Sequence, residues 1–488
     1  MIQSGASQNR HTLPRWNRIK TAEQLGEFNS VKKLSLPKDI GSDSLPELLE
    51  QWKTEKNLPL AIEIISASKF SKHDENISAI LEYAKTATSN ISDAPPLLKE
   101  FLFETENDTT IASTHQECIE KIKKSLSNFP RNPLLWSELS REYTIMGQRQ
   151  KSERAIQVAF NLAPENRIIL RAIAQFYAHF GDFDQALFFL RKSPLVRVDP
   201  WILSSEIALS NEVGRTSKNI KIGQKMILDK NFHPLALSEL SSELGTMDFV
   251  SGNSKQGKRK FELATIVPYE NAVAQIVWVN KNSYNVDSII KNIPHTNCNF
   301  EAEARWHFYN GEWKAAFDLA GMWQEYQPFS REPAMISSFI AADFLMDYRS
   351  AEISLQCGLK SNPFDLGLLN NYIYVLTLSG KLDEASDAMN RANKLCPDNN
   401  NIPLIATEGL LSYRRGDATT GKTKYLSALE MAKKEKDLDL YYRALLCLAR
   451  EEKRIGHPIS ELIQQIEDQK YSFYRKQYNI VINNFQLT

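Results

Sequence analysis

The chain has 488 residues, of which 42% are hydrophobic and 10% aromatic, and its 59 Lys and Arg residues are balanced by 59 Asp and Glu residues. This apolar content excludes global disorder. The zero formal charge argues against a dedicated polyanion binder, which normally carries a basic excess. The stretch MIQSGASQNRHTLPRWNRIK lacks the apolar run of a signal peptide, and no run of about 18 apolar residues predicts a membrane span. Five widely spaced cysteines suit reduced thiols, so we expect a cytoplasmic protein.

Residues 1–45 form a polar N-terminal extension in which no helical stripe of apolar residues is sustained. The extension is locally basic around one tryptophan, and the residues concerned are Arg10, Arg15, Trp16, Arg18 and Lys20. Two interpretations are open. The extension is either a flexible or edge-packed tail, or a docking arm that becomes ordered only on a partner.

Residues 46–130 have apolar residues at helical spacing but no clear repeat. Leu49, Trp52, Ile64 and Ile80 are among the residues that predict a helical pair within residues 46–92. The stretches SDAPPLLKEFLFETEND and ECIEKIKKSLSNFP then predict one more helical hairpin. This hairpin ends at Pro130.

The stretch SGKLDEASDAMNRANKLCPDN, residues 379–399, indicates a helical hairpin. Gly380 lies between two apolar helical stretches, where a positive φ is easily adopted. Ala385 and Ala392 are small enough to let paired helices approach closely. Pro397 then ends the second helix.

The same pattern recurs along the chain. The predicted turn positions are Gly147, Gly181, Gly214, Gly252, Gly311, Met346, Gly380 and Gly416, with successive spacings of 34, 33, 38, 59, 35, 34 and 36 residues by subtraction. The unit at Gly214 is weak, and the longest gap leaves room for a degenerate unit within residues 270–294. Because a lone hairpin cannot bury its apolar face, the pattern predicts stacked hairpins with one continuous core.

A period near 34 residues resembles the tetratricopeptide repeat (TPR), and the resemblance covers roughly residues 94–450. It implies an all-α, right-handed α-solenoid of tandem TPR and TPR-like hairpins. In this family the concave face is built from the first helix of each pair and usually binds a peptide or protein segment. We therefore assign residues 46–130 to a degenerate TPR-like region, 131–450 to the TPR solenoid and 451–488 to C-terminal capping helices.

Helix phase predicts which side chains lean toward the concave face, provided that Trp136, Leu139 and Tyr143 point into their hairpin. The candidate partner-binding residues are Ser137, Arg141, Thr144, Arg171, Gln175, His179, Asn370 and Tyr374. Arg141 and Arg171 are expected to be neighbours that form a small site for a carboxylate-bearing ligand. Solvated surface arginines are the simpler interpretation. The resemblance does not extend to chaperone-tail binding, because the expected Asn is missing and Ser137 replaces the usual basic residue.

No catalytic motif is present. The pairs His115–Cys118 and His295–Cys298 have ligand types that suit zinc. They lie 180 residues apart by subtraction, so we interpret them as coincidence and expect neither a metal nor a cofactor.

The sequence thus predicts a non-enzymatic scaffold or adaptor that binds a protein segment in its concave groove. It would serve as a regulatory or structural subunit of a soluble multiprotein complex. One alternative is an RNA-binding helical-repeat protein, which needs regularly spaced basic groove residues with stacking aromatics. The other is an enzyme with a cryptic site in residues 1–130. Membrane and nucleic-acid partners are not expected.

Overall fold

The computed structural model describes residues 111–229, 232–280, 286–290, 293, 300–398 and 400–467, and the isolated positions 15, 16, 49, 52, 53, 56, 61, 64, 79, 80 and 83. The described secondary structure is helical, with no β-strand in this part of the chain. The chain divides into two compact units. We call the described residues up to Ala302 the N-terminal unit and those from Glu303 onward the C-terminal unit.

The helices of the N-terminal unit are α1 (Ile111–Asn128), α2 (Pro133–Ile145), α3 (Arg149–Leu162), α4 (Arg167–His179), α5 (Phe183–Lys192), α6 (Pro200–Glu212), α7 (Ile220–Leu228), α8 (Pro234–Val250), α9 (Ser254–Ala264), α10 (Glu270–Val279) and α11 (Asp287–Ile290). A 3₁₀ turn at Pro194–Arg197 precedes α6. Helix α12 (Phe300–Asn310) begins just before the boundary between the units.

The C-terminal unit continues with α13 (Trp313–Tyr326), α14 (Arg331–Asp343), α15 (Tyr348–Ser361), α16 (Leu366–Leu378), α17 (Leu382–Leu395), α18 (Ile402–Arg414), α19 (Ala418–Lys434), α20 (Leu438–Arg454) and α21 (Ser460–Glu467). Helix α20 runs through position 450 and pairs with α21 around Gly456, whose φ is 83°. The domain boundaries proposed from the sequence stay predictions.

Each predicted turn residue lies between two successive helices. All eight have a positive φ, for example 69° at Gly147 and 82° at Gly380. Met346 adopts a φ of 54° although it is not a glycine. Because no glycine marks this turn, only the spacing of the repeat predicted it. Within each unit, the first helices of successive hairpins also pack on one another, as α4 does on α2 and α16 on α14. The prediction of an all-α solenoid of tandem helical hairpins is confirmed.

Short polar side chains begin the first helices. Asn132 and Asn166 accept backbone N–H bonds from the first turns of α2 and α4, and Asp199 does the same for α6. Asp365 and Asn401 cap α16 and α18 in the same way. Each such cap typically stabilises a helix by about 1 kcal/mol, so these residues fix where each unit starts.

The unit at Gly214, which the sequence signals only weakly, is a complete hairpin of α6 and α7. Its core includes Leu203, Ile207 and Met226, which pack on leucines of α8. An added Cβ at Gly223 would lie 3.2–3.4 Å from three leucine side chains, so a small residue there lets α7 pack closely. The long gap that follows contains α10 and α11, whose apolar side chains pack on Phe249 and Phe261.

Candidate functional site

The candidate site lies on the first helices of the N-terminal unit. We define the first-helix face as the side chains of α2, α4, α6, α8 and α10, with Glu301 at the start of α12. Among the described helices of this unit and their N-caps, eight acidic but only three basic side chains are buried: Glu138, Glu142, Asp199, Glu206, Glu239, Glu243, Glu270 and Glu301 against Arg141, Arg167 and Arg171. All of them belong to first helices or their N-caps. The face therefore has an excess of buried carboxylates and favours a cation.

Trp16 of the N-terminal extension packs on this face. Its side chain is only 3% exposed, and its indole meets Phe176 of α4 edge-to-face at a centroid distance of 6.2 Å. The carbonyl oxygen of Trp16 accepts a hydrogen bond from Nε of Arg141 on α2, at 3.3 Å. The tryptophan thus contacts two successive first helices, through its side chain and its main chain.

Arg15 contacts the same face further along the chain. Its guanidinium donates to Oδ1 of Asn271 on α10 and forms an ion pair with Glu301. The side chains of Arg15 and Glu301 are 7% and 9% exposed, so this ion pair is largely removed from water. Arg15 is therefore a buried cation that neutralises part of the carboxylate excess of the face.

A polar network continues from Arg15 across the face. Asn271 donates from Nδ2 to Oε1 of Glu239 at 2.8 Å. Arg171 donates hydrogen bonds to both carboxylate oxygens of Glu239, at 2.7 and 3.0 Å. Its guanidinium also lies 5.0 Å from the ring centroid of Trp201. This bidentate geometry is among the strongest that an arginine and a carboxylate form. The network therefore joins Arg15 to α10, α8, α6 and α4.

The structure gives the sequence-predicted arginines internal partners. Arg141 contacts Trp16 and Glu142, and Arg171 binds Glu239. Both arginines are buried, so the interpretation that they are solvated surface residues is wrong. The carboxylate that Arg171 holds belongs to the chain itself. The role of these residues in binding a partner stays a prediction.

The other predicted residues of this unit are placed less uniformly. Ser137 is buried on α2, whereas Gln175 and His179 are half-buried on α4. Thr144 does not lean toward the concave face, because its hydroxyl contacts the hydroxyl of Ser152 on α3 at 2.6 Å, inside the hairpin. Its own-helix bond to the carbonyl of Ser140 supports this inward position.

In the C-terminal unit, Asn370 and Tyr374 are fully buried on α16. The Tyr374 hydroxyl donates to Oδ1 of Asp343 at 2.9 Å and accepts from Nη1 of Arg450 at 2.8 Å. Burial raises the pKa of Asp343, and the nearby Arg450 guanidinium offsets only part of this effect. Tyr374 is thus part of a buried polar cluster rather than a free groove residue.

Helix α20 supplies most of that cluster. Burial alone would raise the pKa of Glu451, but the guanidiniums of Arg450 and Arg414 hold this pKa below its ordinary value. Arg454 also donates to Glu451, at 3.2 Å. Sequence reasoning missed these residues because the repeat pattern fades near residue 450. The signal available was the run of five charged residues directly after five apolar ones in LLCLAREEKR, which lies on a helix buried over most of its length.

The described residues include no group of three or more His, Cys, Asp or Glu residues placed to hold a metal ion. His115 contacts Oε2 of Glu142 through Nδ1 at 2.6 Å, and His295 and Cys298 lie outside the described residues. In the described part of the chain, no helix combines the length and apolarity needed to cross a membrane.

Tandem antiparallel hairpins, first helices that pack on one another and turns at a period near 34 residues define a TPR-like helical-repeat protein. No protein-family model and no curated protein matches the chain.

Among solved structures, a thermophilic TPR protein of Thermus thermophilus is 18% identical over 43% of this chain and 98% of its own, with a TM-score of 0.28. The APC/C hetero-tetramer Cut9–Hcn1 is 14% identical over 82% of this chain and 92% of that chain, with a TM-score of 0.41. Yeast Tom70 is also 14% identical, over 77% and 96%, with a TM-score of 0.32. The class stated above rests on the hairpins of this chain.

Proposed function

We propose that the protein is a non-enzymatic scaffold or adaptor that binds a segment of a partner protein along the first-helix face of the N-terminal unit. It acts as a regulatory or structural subunit of a soluble multiprotein complex. The observation that carries the proposal is that this face already accommodates polypeptide, since Arg15 and Trp16 lie on it.

The contacts of these two residues have the character of a peptide-binding groove. The face receives a main-chain carbonyl through Arg141, an indole against Phe176 and a guanidinium at Glu301. Buried Trp and Arg side chains commonly supply most of the binding energy at protein interfaces. A partner segment of similar chemistry would find the same set of donors, acceptors and aromatic surface.

The charge of the face supports a protein partner over RNA. Phosphate binding needs clustered Lys and Arg, whereas the buried charged side chains of the N-terminal unit are mainly acidic. Cys357, Cys396 and Cys447 are free thiols, which supports a cytoplasmic location as part of the proposal.

Site-specific photocrosslinking tests the proposal. A photoreactive phenylalanine analogue at Gln175, half-buried on α4, probes the first-helix face. The matched control places it at Phe188, which is 55% exposed on the second helix α5. In extract of the native cell, we expect position 175 but not position 188 to crosslink a discrete partner protein.

The experiment is run on the wild-type chain and on the Arg15→Ala/Trp16→Ala variant, which frees the face of its own segment. Equal crosslinking from both positions would contradict the proposal. So would no intermolecular product from position 175 in either chain.

A further inference from the structure

We infer that the first-helix face of the N-terminal unit recognises an arginine followed by an aromatic residue, and that Arg15–Trp16 is its intramolecular pseudoligand. A partner segment must then displace the chain's own extension. The inference deepens the proposed function and rests on it. It names both the chemistry of the partner segment and the element that regulates access.

The first step is that this pair is seated as a ligand rather than as part of a repeat. It belongs to none of the described helical hairpins, and the contacts given above join it to residues 125 to 286 positions away in the sequence. These contacts fall on the first helices α2, α4 and α10 and on the start of α12. A solenoid that lacked the pair would retain all its helix-to-helix contacts.

The second step concerns the recognition of arginine. Glu301 and Asn271 meet the guanidinium, and Asn271 is held in turn by Glu239. Because Asn271 and Glu301 are both buried, removing the guanidinium takes a cation away from a carboxylate in a water-poor site, which is costly. The pocket therefore discriminates against a neutral side chain at this position.

The third step concerns the recognition of the aromatic residue. The Trp16 indole is almost completely buried against Phe176, while its carbonyl is held by Arg141. Edge-to-face ring contact is favourable beyond the burial of apolar area. The contacts to the guanidinium and those to the indole involve adjacent residues of the segment. The face is therefore expected to bind an arginine followed directly by an aromatic residue.

The fourth step is that attachment in the same chain favours the intramolecular ligand. A tethered segment competes at an effective concentration on the order of mM. The basic residues around Trp16 match the carboxylate excess of the face, so charge complementarity also favours this segment.

A fluorescent peptide with the sequence RHTLPRWNRIK, residues 10–20, tests the inference against the full-length chain. We expect the Arg15→Ala/Trp16→Ala protein to bind this peptide at least about tenfold more tightly than wild type, because its own competitor is disabled. The same peptide with Ala at the positions of Arg15 and Trp16 should not bind. Equal binding by the two proteins, or no binding by the variant, would overturn the inference.

A second pair of variants locates the binding. In the Arg15→Ala/Trp16→Ala background, Glu301→Gln should weaken peptide binding about tenfold, because the arginine loses its buried carboxylate. Glu262→Gln makes the same charge change at an exposed position of α9 and should leave binding unchanged. Equal effects of the two substitutions would show that the peptide binds elsewhere.

Folding and oligomeric state are measured on the same proteins. Circular dichroism checks folding, and if the double variant is unfolded, Arg15→Ala alone is expected to give intermediate peptide affinity. Light scattering of wild type should give a monomer, whereas a dimer that Arg15→Ala/Trp16→Ala dissociates would overturn the intramolecular assignment. Failure of peptide binding with successful crosslinking from position 175 would reject this inference and leave the proposed function standing.

Discussion

Two hairpins, one from each unit, cross in the same way but differ in polarity. In α8 and α9 each helix carries a glycine four residues before a phenylalanine, at Gly245–Phe249 and Gly257–Phe261. Helices α18 and α19 repeat this spacing with tyrosines, and the residues are Gly409, Tyr413, Gly421 and Tyr425. The comparison separates the residues that a close helix crossing requires from the polar groups that are present in only one of the two hairpins.

The shared requirement is the absence of a Cβ at the crossing. An added Cβ at Gly257 would lie 3.0 Å from the carbonyl oxygen of Gly245, and one at Gly421 would lie 2.9 Å from that of Gly409. The facing rings are tilted by 47° in the phenylalanine pair and 48° in the tyrosine pair. Each glycine therefore makes room for an aromatic ring of the opposite helix.

The difference lies in the hydroxyl groups. Tyr413 donates to Glu452 of α20, which also accepts from Lys422 at 3.2 Å and contacts His457 at 3.0 Å. Burial, followed by the hydrogen bond and charge of Glu452, raises the pKa of Tyr413. The phenylalanine pair has no such group. The same crossing is thus an apolar contact in one unit and a link to a polar cluster in the other.

The largest expected effect comes from closing the crossing itself. Gly421→Ala should destabilise the C-terminal unit by about 2 kcal/mol, because overpacking costs about 1–3 kcal/mol and alanine returns up to about 1 kcal/mol of helix propensity. Urea unfolding followed by circular dichroism measures the change. Gly257→Ala should act in the same direction in the N-terminal unit.

Gly321→Ala is the matched control for this prediction. Gly321 lies within α13, and an added Cβ there meets nothing within 4 Å. This substitution should stabilise the protein by about 0.5–1 kcal/mol. A Gly421→Ala protein as stable as Gly321→Ala would show that the crossing tolerates a methyl group.

A smaller effect is expected from removing the hydroxyl that distinguishes the tyrosine hairpin. Tyr413→Phe should cost about 1.5 kcal/mol at pH 7, because Glu452 is charged and loses a donor. Burial alone would raise the pKa of Glu452, but hydrogen bonds from Tyr413, His457 and Lys422 together hold it below its ordinary value.

This lowered pKa fixes the sign of the pH dependence. The stabilisation is present above the unfolded pKa of about 4.3 and is lost as the pH falls through the lower folded value. The penalty of Tyr413→Phe should therefore shrink between about pH 5 and pH 3, as measured by urea titrations at each pH. Tyr441→Phe, which removes an exposed hydroxyl bonded to Gln465, is the control and should change little. A penalty that is independent of pH would contradict the coupling to Glu452.

The hairpin architecture could be read from the sequence because its determinants are local. A turn glycine, small residues on the facing helices and a helix cap recur with the repeat, so even Met346 was identified from its phase. The hairpin at Gly214 gave a weak signal because the close packing of α7 depends on contacts between Gly223 and leucines of neighbouring helices. Those contacts join separate parts of the chain and leave no local pattern.

The candidate site was predicted less completely, for the same physical reason. Helix phase identified Arg141 and Arg171, but the partner of Arg171 is Glu239, 68 positions away. The link from Arg15 to Glu301 spans 286 positions and follows from how the first helices stack. The basic cluster around Trp16 was visible, although nothing in the sequence showed which surface it would meet.

The smallest effect is expected from Tyr425→Phe. This substitution gives α19 the glycine–phenylalanine spacing of α9, so it makes one helix of the tyrosine hairpin resemble the phenylalanine hairpin. The Tyr425 hydroxyl is buried and has no hydrogen-bond partner among the described residues, and burial raises its pKa well above the ordinary value. Tyr425→Phe removes a desolvated polar group without opening a sizeable cavity, so stability should stay the same or rise by up to about 1 kcal/mol. Urea unfolding at pH 7, with Tyr413→Phe measured alongside, tests this.

The two rings face each other across one crossing. Opposite signs for the same chemical change would therefore show that the hydrogen bond to Glu452, rather than the hydroxyl as such, stabilises the tyrosine hairpin. A loss of more than about 1 kcal/mol in Tyr425→Phe would mean that this hydroxyl is paired after all.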